Sequence, residues 1–369
     1  MLLKITNCNH SRRLRCFSMK QLLVLGVIAF TFSASAQYKD SLKTFRKHTK
    51  TYQKSSDYVF IPSGSYTRGT NDSDLPYANG AYFRNHTMHV DSFFMQKCEV
   101  NNRQYLEFVK AQLAIDSVLG KSYLPDTLVW RSPTGFNEPY VEYYFRHPAY
   151  SNYPVVGVSY NQAKAYAEWC TEKYNSDEKR VFKKVQFRLP TEEEWEYAFR
   201  GNNSYSYLPW GTNSTFDENG KVLANFLIVS QLGIYRDTLS KTFGGRQETQ
   251  EVIVSSGAAE SPRSHEANGT AYSDITAPVN TYKPNSFGLY QMAGNVEEMV
   301  EAYYFRDASI YSFSHDTPEK SDQPWGITKG GSWNDPGYYL QYPVRQFYDG
   351  PNATSAEIGF RLVMDVLVF

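Results

Sequence analysis

The sequence predicts a loop-rich, mixed α+β domain, and three observations carry that expectation. Helix starts are written in capping residues, short apolar/polar alternations are broken by Gly and Pro, and aromatic residues make up 16% of the chain, with 30 tyrosines. Rings at that density seal irregular segments, because Tyr and Trp bury a large apolar body while keeping one polar atom for a partner.

The strand signals open at "YVFIPSGSYTRG", which alternates around a Pro-Ser-Gly turn and reads as a hairpin at a domain edge. The domain is therefore expected to start near Tyr58, after a basic, polar lead from Tyr38 to Asp57. "MHVDSFFMQKCEV" is a further strand candidate, and "IGFRLVMDVLVF" closes the chain with short apolar strands.

Helix starts follow from paired capping residues. Asn101 with Gln104, Ser159 with Gln162 and Thr191 with Glu194 each have the spacing of a capping box, in which side chain and backbone satisfy each other's orphan groups. Behind them, Tyr105, Phe108 and Val109, then Ala163, Tyr166, Ala167 and Cys170, then Trp195, Ala198 and Phe199, recur at helical spacing and mark the buried faces. Glu192, Glu193 and Glu194 read as acids answering the helix dipole in a first turn rather than as a catalytic pair. From 227 to 269 the composition turns polar and rich in Ser, Gly and Glu, as in an inserted loop. Neither an internal repeat nor a low-complexity tract is present.

Bulk charge excludes some functions. Lys+Arg and Asp+Glu both total 38, so the whole-chain balance is zero and offers no net attraction to nucleic acid or anionic lipid. The segment "MKQLLVLGVIAFTFSASAQ" places Lys20 before an apolar run from Leu22 to Phe32 and then Ala34-Ser35-Ala36, the pattern of a cleaved secretory leader. Residues 1–36 are expected to be leader, with translation starting at Met19, and 37–57 a polar lead; the run is too short to span a bilayer. No cysteine stands at the cleavage point, so no lipid anchor is evident. Cys98 and Cys170 remain, either paired or as buried free thiols, and neither has a companion at zinc-ligand spacing.

The inventory of reactive groups is thin. His86 and His89 sit three apart beside a strand, where they point to opposite faces and cannot share a metal. Neither a nucleophile elbow nor a phosphate-binding loop is present. The stretch "KGGSWNDPGYYLQYPVRQFYDG" begins like an active-site loop, with paired glycines, but contains no cysteine or histidine.

Taken in order, "FIPSGSYTRG", "EVNNRQY", "YPVVGVSYNQAKAYAEW", "FRLPTEEEWEYAFRG", "YLPWG", "ANF", "TAPVNTYKPNSFGLYQMAGNVEEMV", "KGGSW" and "GFRLV" resemble the formylglycine-generating, or sulfatase-modifying factor, family from about Tyr58 to Val363. The resemblance implies a single C-type-lectin-like domain, assigned here to 58–366. It also implies a pair of active-site cysteines three residues after the Gly-Gly-Ser serine and five residues beyond that. Here those positions hold Asp335 and Leu340. A carboxylate is a poor substitute for a thiolate toward copper(I), and leucine ligates nothing, so neither copper nor catalytic residues are expected.

"YLPDTLVW", "EYYFRHPAYSNYPVVGVSY" and "GGSWNDPGYYLQ" further resemble the gliding-motility and type IX secretion-associated lipoproteins of Bacteroidetes. That implies an exported, periplasmic or outer-membrane-associated structural protein with envelope partners, of which this chain would be a form without the lipid anchor. A formylglycine-generating oxidoreductase with a non-standard site and a glycan-binding module are the alternatives.

The family resemblance also implies structural calcium. A second site would use Gln291, the carbonyls of Gly294 and Val296, and Glu298; a first would use Asn225 and the carbonyl of Phe226, with Asp274 nearby. A metal-free turn held by Asn295 and Glu298 is the alternative. The thiol-free loop offers Trp333, Asn334, Asp335, Tyr338, Tyr339, Arg345 and Phe347 to a partner, with core packing the alternative for at least half of its aromatic rings.

Overall fold

The computed structural model describes residues 40–68, 86–131, 137–203, 206–228, 234–243, 246–255, 275–304 and 325–369. A helix, α1, spans 40–55 where the sequence suggested only a polar lead. Residues from Gln53 onward form one compact unit, and Met1–Tyr52 a separate one.

Two four-stranded sheets organise the larger unit. The first has the order β1-β4-β12-β5, from Tyr58–Ile61, Phe93–Gln96, Val363–Val368 and Lys184–Arg188, all antiparallel. Its inner strand β4 is buried throughout. β2 (Gly64–Arg68) pairs with β3 (His86–Val90), not with β1. The expected Pro-Ser-Gly hairpin is thus a correction: the turn passes the chain from one sheet to another, because β4 supplies the apolar partner that β1 needs. His86 lies opposite Arg68 and His89 opposite Ser65, with the His89 side chain exposed.

The helices start where the caps predicted. α2 (Asn102–Ile115), α5 (Tyr160–Ser176) and α6 (Glu192–Arg200) each carry the complete capping box on Asn101, Ser159 and Thr191. Shorter helices α3 (Ser117–Ser122) and α4 (Glu138–Tyr143) fill the connection after α2. Trp195, Ala198 and Phe199 of α6 are fully enclosed in the main core with Met95, Leu289, Val300 and Val363. Cys98 and Cys170 are free thiols, which burial pushes up to about 12, so neither is a reactive thiolate. Within the polar insert, β6 (Ile234–Phe243) and β7 (Arg246–Ser255) pair as an antiparallel ribbon. Among the described residues, no helix is long and apolar enough to cross a membrane.

The second sheet builds the loop of interest. β8 (Glu297–Tyr304) and β9 (Trp325–Lys329) are antiparallel, β10 (Gln346–Asp349) joins the outer edge of β9, and β11 (Ile358–Gly359) runs parallel to β8. The Gly-Gly-Ser stretch therefore leaves the end of β9 and returns as β10, a wide connection standing over the start of β8.

Candidate functional site

Gly330 and Gly331 make the turn out of β9 with φ of 95° and 69°. At Gly330 the need for glycine is steric as well, since a Cβ would stand 2.9 Å from the Met292 carbonyl and 3.1 Å from the Trp195 ring. The turn docks through Gly294 N–H, which donates to Gly330 O at 2.8 Å, and Trp333 N–H, which donates to Asn295 O at 2.9 Å.

Beyond the turn, the two positions that the resemblance gives to thiols have opposite fates. Leu340 is 0% exposed and belongs to the main core. Asp335 folds back on its own loop: its Oδ2 accepts from Ser332 N–H at 2.8 Å and from Ser332 Oγ at 2.6 Å. Side-chain oxygens of Glu297, Asp335 and Glu357 lie within 4.8 Å of one another. Glu297 also accepts from Thr328 Oγ1 and from Gln346 Nε2 (2.9 Å), and Glu357 accepts from Asn334 Nδ2 at 2.8 Å. Burial, then the charge of Asp335, pushes the Glu297 carboxyl well above the usual range, and Glu357 is raised by its own burial. Three oxygen donors of this kind could hold a hard cation and are unsuited to copper(I).

Adjacent carboxylates of β8 serve different networks because successive strand side chains point to opposite faces. Glu297 faces the loop. Glu298 faces the core, where Arg361 donates to both its oxygens, at 2.5 and 2.7 Å, and Trp195 Nε1 donates at 2.7 Å. Arg361 also reaches the carbonyls of Gln96, Lys97 and Tyr290. This places a cation where the resemblance implied calcium. Gln291, at a φ of 48°, gives its Nε2 to Pro278 O at 2.8 Å and leaves Oε1 buried without a partner. One buried amide oxygen without a partner is a donor that a hard cation could use, while Glu298 already meets the Arg361 guanidinium. At the first site, Asn225 donates to Ile275 O and to Asn295 Oδ1 at 2.9 and 3.3 Å, and Phe226 packs in the core. Asp274 lies outside the described residues.

Asn295 is the hub of this region. At a φ of 72° its N–H reaches Asn225 O, its Oδ1 accepts from Ala277 N–H at 2.6 Å, and its Nδ2 donates to Glu99 Oε1 at 2.8 Å. Glu99 is fully buried, and that desolvation, opposed in part by Arg361, pushes its carboxyl up to about 8.

A second buried network lies under the loop, and the dipole reading of the α6 acids missed it. Lys329, 0% exposed, sits 2.8 Å from Glu196 and 3.3 Å from Glu192. Arg68 contacts Glu192, Glu193 and Glu196 at 2.6, 3.0 and 3.1 Å, and Arg345 makes a two-pronged contact with Glu192. Burial works against the Glu196 charge, but Arg68 and Lys329 hold its carboxyl below the usual range. Only Glu194 behaves as the capping rule predicts, and it also binds Arg188 at 2.7 Å. The missed signal was spacing: Glu192 and Glu196 are four apart and flank Trp195, so they share the buried side of the helix.

The proposed partner-binding loop is therefore only partly available. Trp333 stacks on Trp130 at 6.0 Å inside a second apolar cluster and gives its Nε1 to Ala356 O. Arg345 is engaged with Glu192, and Asn334 with Glu357. Tyr338 and Tyr339 are half-buried and Phe347 is exposed.

With the loop, the two sheets and the capped helices in place, the comparison with known proteins is specific. The chain belongs to the family described as the sulfatase-modifying factor enzyme 1-like domain, whose model matches residues 44–366. It is similar to the formylglycine-generating enzyme of Thermomonospora curvata, with 28% identity over 345 residues covering 84% of this chain and 93% of that one. The Mus musculus formylglycine-generating enzyme is 26% identical, covering 84% and 75%. A protein of Bos taurus named inactive Cα-formylglycine-generating enzyme 2 is 24% identical, covering 82% and 86%. Among solved structures, PvdO from Pseudomonas aeruginosa has the same fold, with a TM-score of 0.51 and 21% identity over 84% of this chain and 94% of that one.

Proposed function

We propose that this chain is a non-catalytic binding or structural protein of the bacterial cell envelope that has kept the family frame and given up its thiol chemistry. One observation carries the reading: Leu340 is sealed in the core and Asp335 sits among carboxylates, so neither thiol position can supply a soft ligand or a redox-active sulfur. The two free cysteines lie in other segments, with thiols far from ionisation at neutral pH. The inactive relative in Bos taurus shows that a family member can carry that description.

An exported position, periplasmic or associated with the outer membrane, is part of the proposal and is supported by the apolar leader from Leu22 to Phe32. Membership among the gliding-motility and type IX secretion components is supported by the loop segments around Tyr123–Trp130 and Gly330–Gln341. The contact surface on this reading is the outer part of the loop, Tyr338, Tyr339 and Phe347, beside the carboxylates.

Affinity capture from an envelope fraction tests it, using wild type and a Tyr338→Ala/Tyr339→Ala/Phe347→Ala variant. The expected result is a secretion or gliding component that is enriched by wild type and lost with the variant. Enrichment of no envelope component, or equal capture by both proteins, contradicts the proposal.

A further inference from the structure

The neutral total charge hides an uneven distribution. Residues 37–57, after the expected leader, hold six Lys or Arg and two acids, whereas residues 58–369 hold 27 Lys or Arg against 36 Asp or Glu. Much of the basic excess is gathered on α1. Lys43, Arg46, Lys47, Lys50 and Lys54 all fall on one side of a helix with 3.6 residues per turn, and all five are exposed. None makes an ion pair among the described residues. Phe45, Thr49 and Tyr52 occupy the opposite side, where Thr49 and Tyr52 are buried, and Leu42 is exposed between the two sides. The cations form a row about 16 Å long, given a helical rise of 1.5 Å per residue.

We propose that this basic stripe is a docking surface for an anionic phospholipid bilayer. A straight row of exposed cations with an apolar residue at its margin suits a flat array of phosphates, where each Lys or Arg adds to the attraction and the apolar chain enters the headgroup boundary. The acidic excess of the remaining chain is repelled by the same surface, which leaves α1 as the attractive element. One observation favours a bilayer over other polyanions. The apolar run Leu22–Phe32 precedes α1 by only seven residues, which brings the stripe beside a membrane during export. This inference is independent of how the thiol-free loop is read.

Vesicle flotation with the full chain tests it, comparing wild type with Lys43→Gln/Arg46→Gln/Lys47→Gln/Lys50→Gln/Lys54→Gln. The vesicles are phosphatidylcholine alone, or phosphatidylcholine with about one third phosphatidylglycerol. The expected result is a gain of about tenfold or more in apparent affinity from the anionic lipid, lost in the glutamine variant and lost at high salt as screening shortens the reach of the charges. Because all five side chains are exposed, the variant is expected to keep its circular dichroism and melting temperature, and the salt titration on unmodified protein tests the same point without mutation. Equal binding of both proteins, or equal binding to neutral vesicles, overturns the proposal. So does equal binding of wild type to duplex DNA, or salt-sensitive self-association that depends on the five cations without vesicle binding.

Discussion

Arg361 closes on Glu298 with two charge-assisted hydrogen bonds, at 2.5 and 2.7 Å, in a position where both side chains are buried. This pair fixes the C-terminal strand segment against the start of β8, and a third bond from Trp195 ties it to α6. It also sets an internal cation beside Glu298. Removing one partner of such a pair leaves a charge stranded in the interior, which costs about 3–5 kcal/mol. Arg361→Met is thus expected to lower stability by that amount in urea unfolding. Wild type should melt at the same temperature with calcium or with EDTA; a calcium-dependent rise would show that Glu298 is shared with an ion.

The network under the loop predicts non-additive mutations. Lys329→Met strands Glu196 beside Arg68 alone and is expected to cost about 3 kcal/mol. In Lys329→Met/Glu196→Gln the second change removes the stranded charge, so the double variant should be more stable than the sum of the single effects. Additive single and double values would mean that the pair is not coupled.

Glu99 gives a pH dependence of definite sign. Its carboxyl is held near 8 in the folded protein against an ordinary value of 4.5, so folding favours the protonated form. The associated stability is fully present below about pH 4.5 and is lost as pH rises toward 8, by an amount on the order of a few kcal/mol. Glu297, raised by its own burial and by Asp335, contributes with the same sign. Glu99→Gln keeps an acceptor for Asn295 and cannot ionise, so it should flatten the decline between pH 5 and 8, in part, and be the more stable protein at about pH 8. Identical pH profiles for the two proteins would contradict the assignment.

Gly294 stands at a φ of 76°, with the Asn225 carbonyl 2.4 Å from where a Cβ would lie. Gly294→Ala adds backbone strain and a clash that neither backbone segment relieves by rotating a side chain. A loss of at least about 2 kcal/mol is expected in thermal or urea unfolding. An alanine variant with unchanged stability would indicate that the Asn225–Asn295 crossing is loosely held.

Much of the frame was legible in the sequence because its signals are local. Asn101, Ser159 and Thr191 announce their helices through residues three positions away, and the Trp195, Ala198 and Phe199 stripe needs only helical spacing. What escaped depends on distant partners. Nothing near Tyr58 says that β1 pairs with β4 rather than with β2. Glu192 resembles any first-turn acid until Arg68, Lys329 and Arg345 arrive from three other segments. The carboxylate triad joins residues 297, 335 and 357, of which the sequence singles out only Asp335, at a position the resemblance gives to a thiol rather than as a member of a cluster. The sequence leaves Trp333 open to a partner or to the core, and it lies inside because Trp130, far away in sequence, stacks against it.

The central claim is that sulfur chemistry has left this site, and copper(I) loading combined with turnover of a cysteine-containing sulfatase peptide tests it most directly. The account predicts that copper(I) does not load at the loop and that the peptide cysteine is recovered unchanged, in wild type and in Cys98→Ala/Cys170→Ala alike. Formylglycine appearing in the peptide, and persisting in the double cysteine variant, would contradict it.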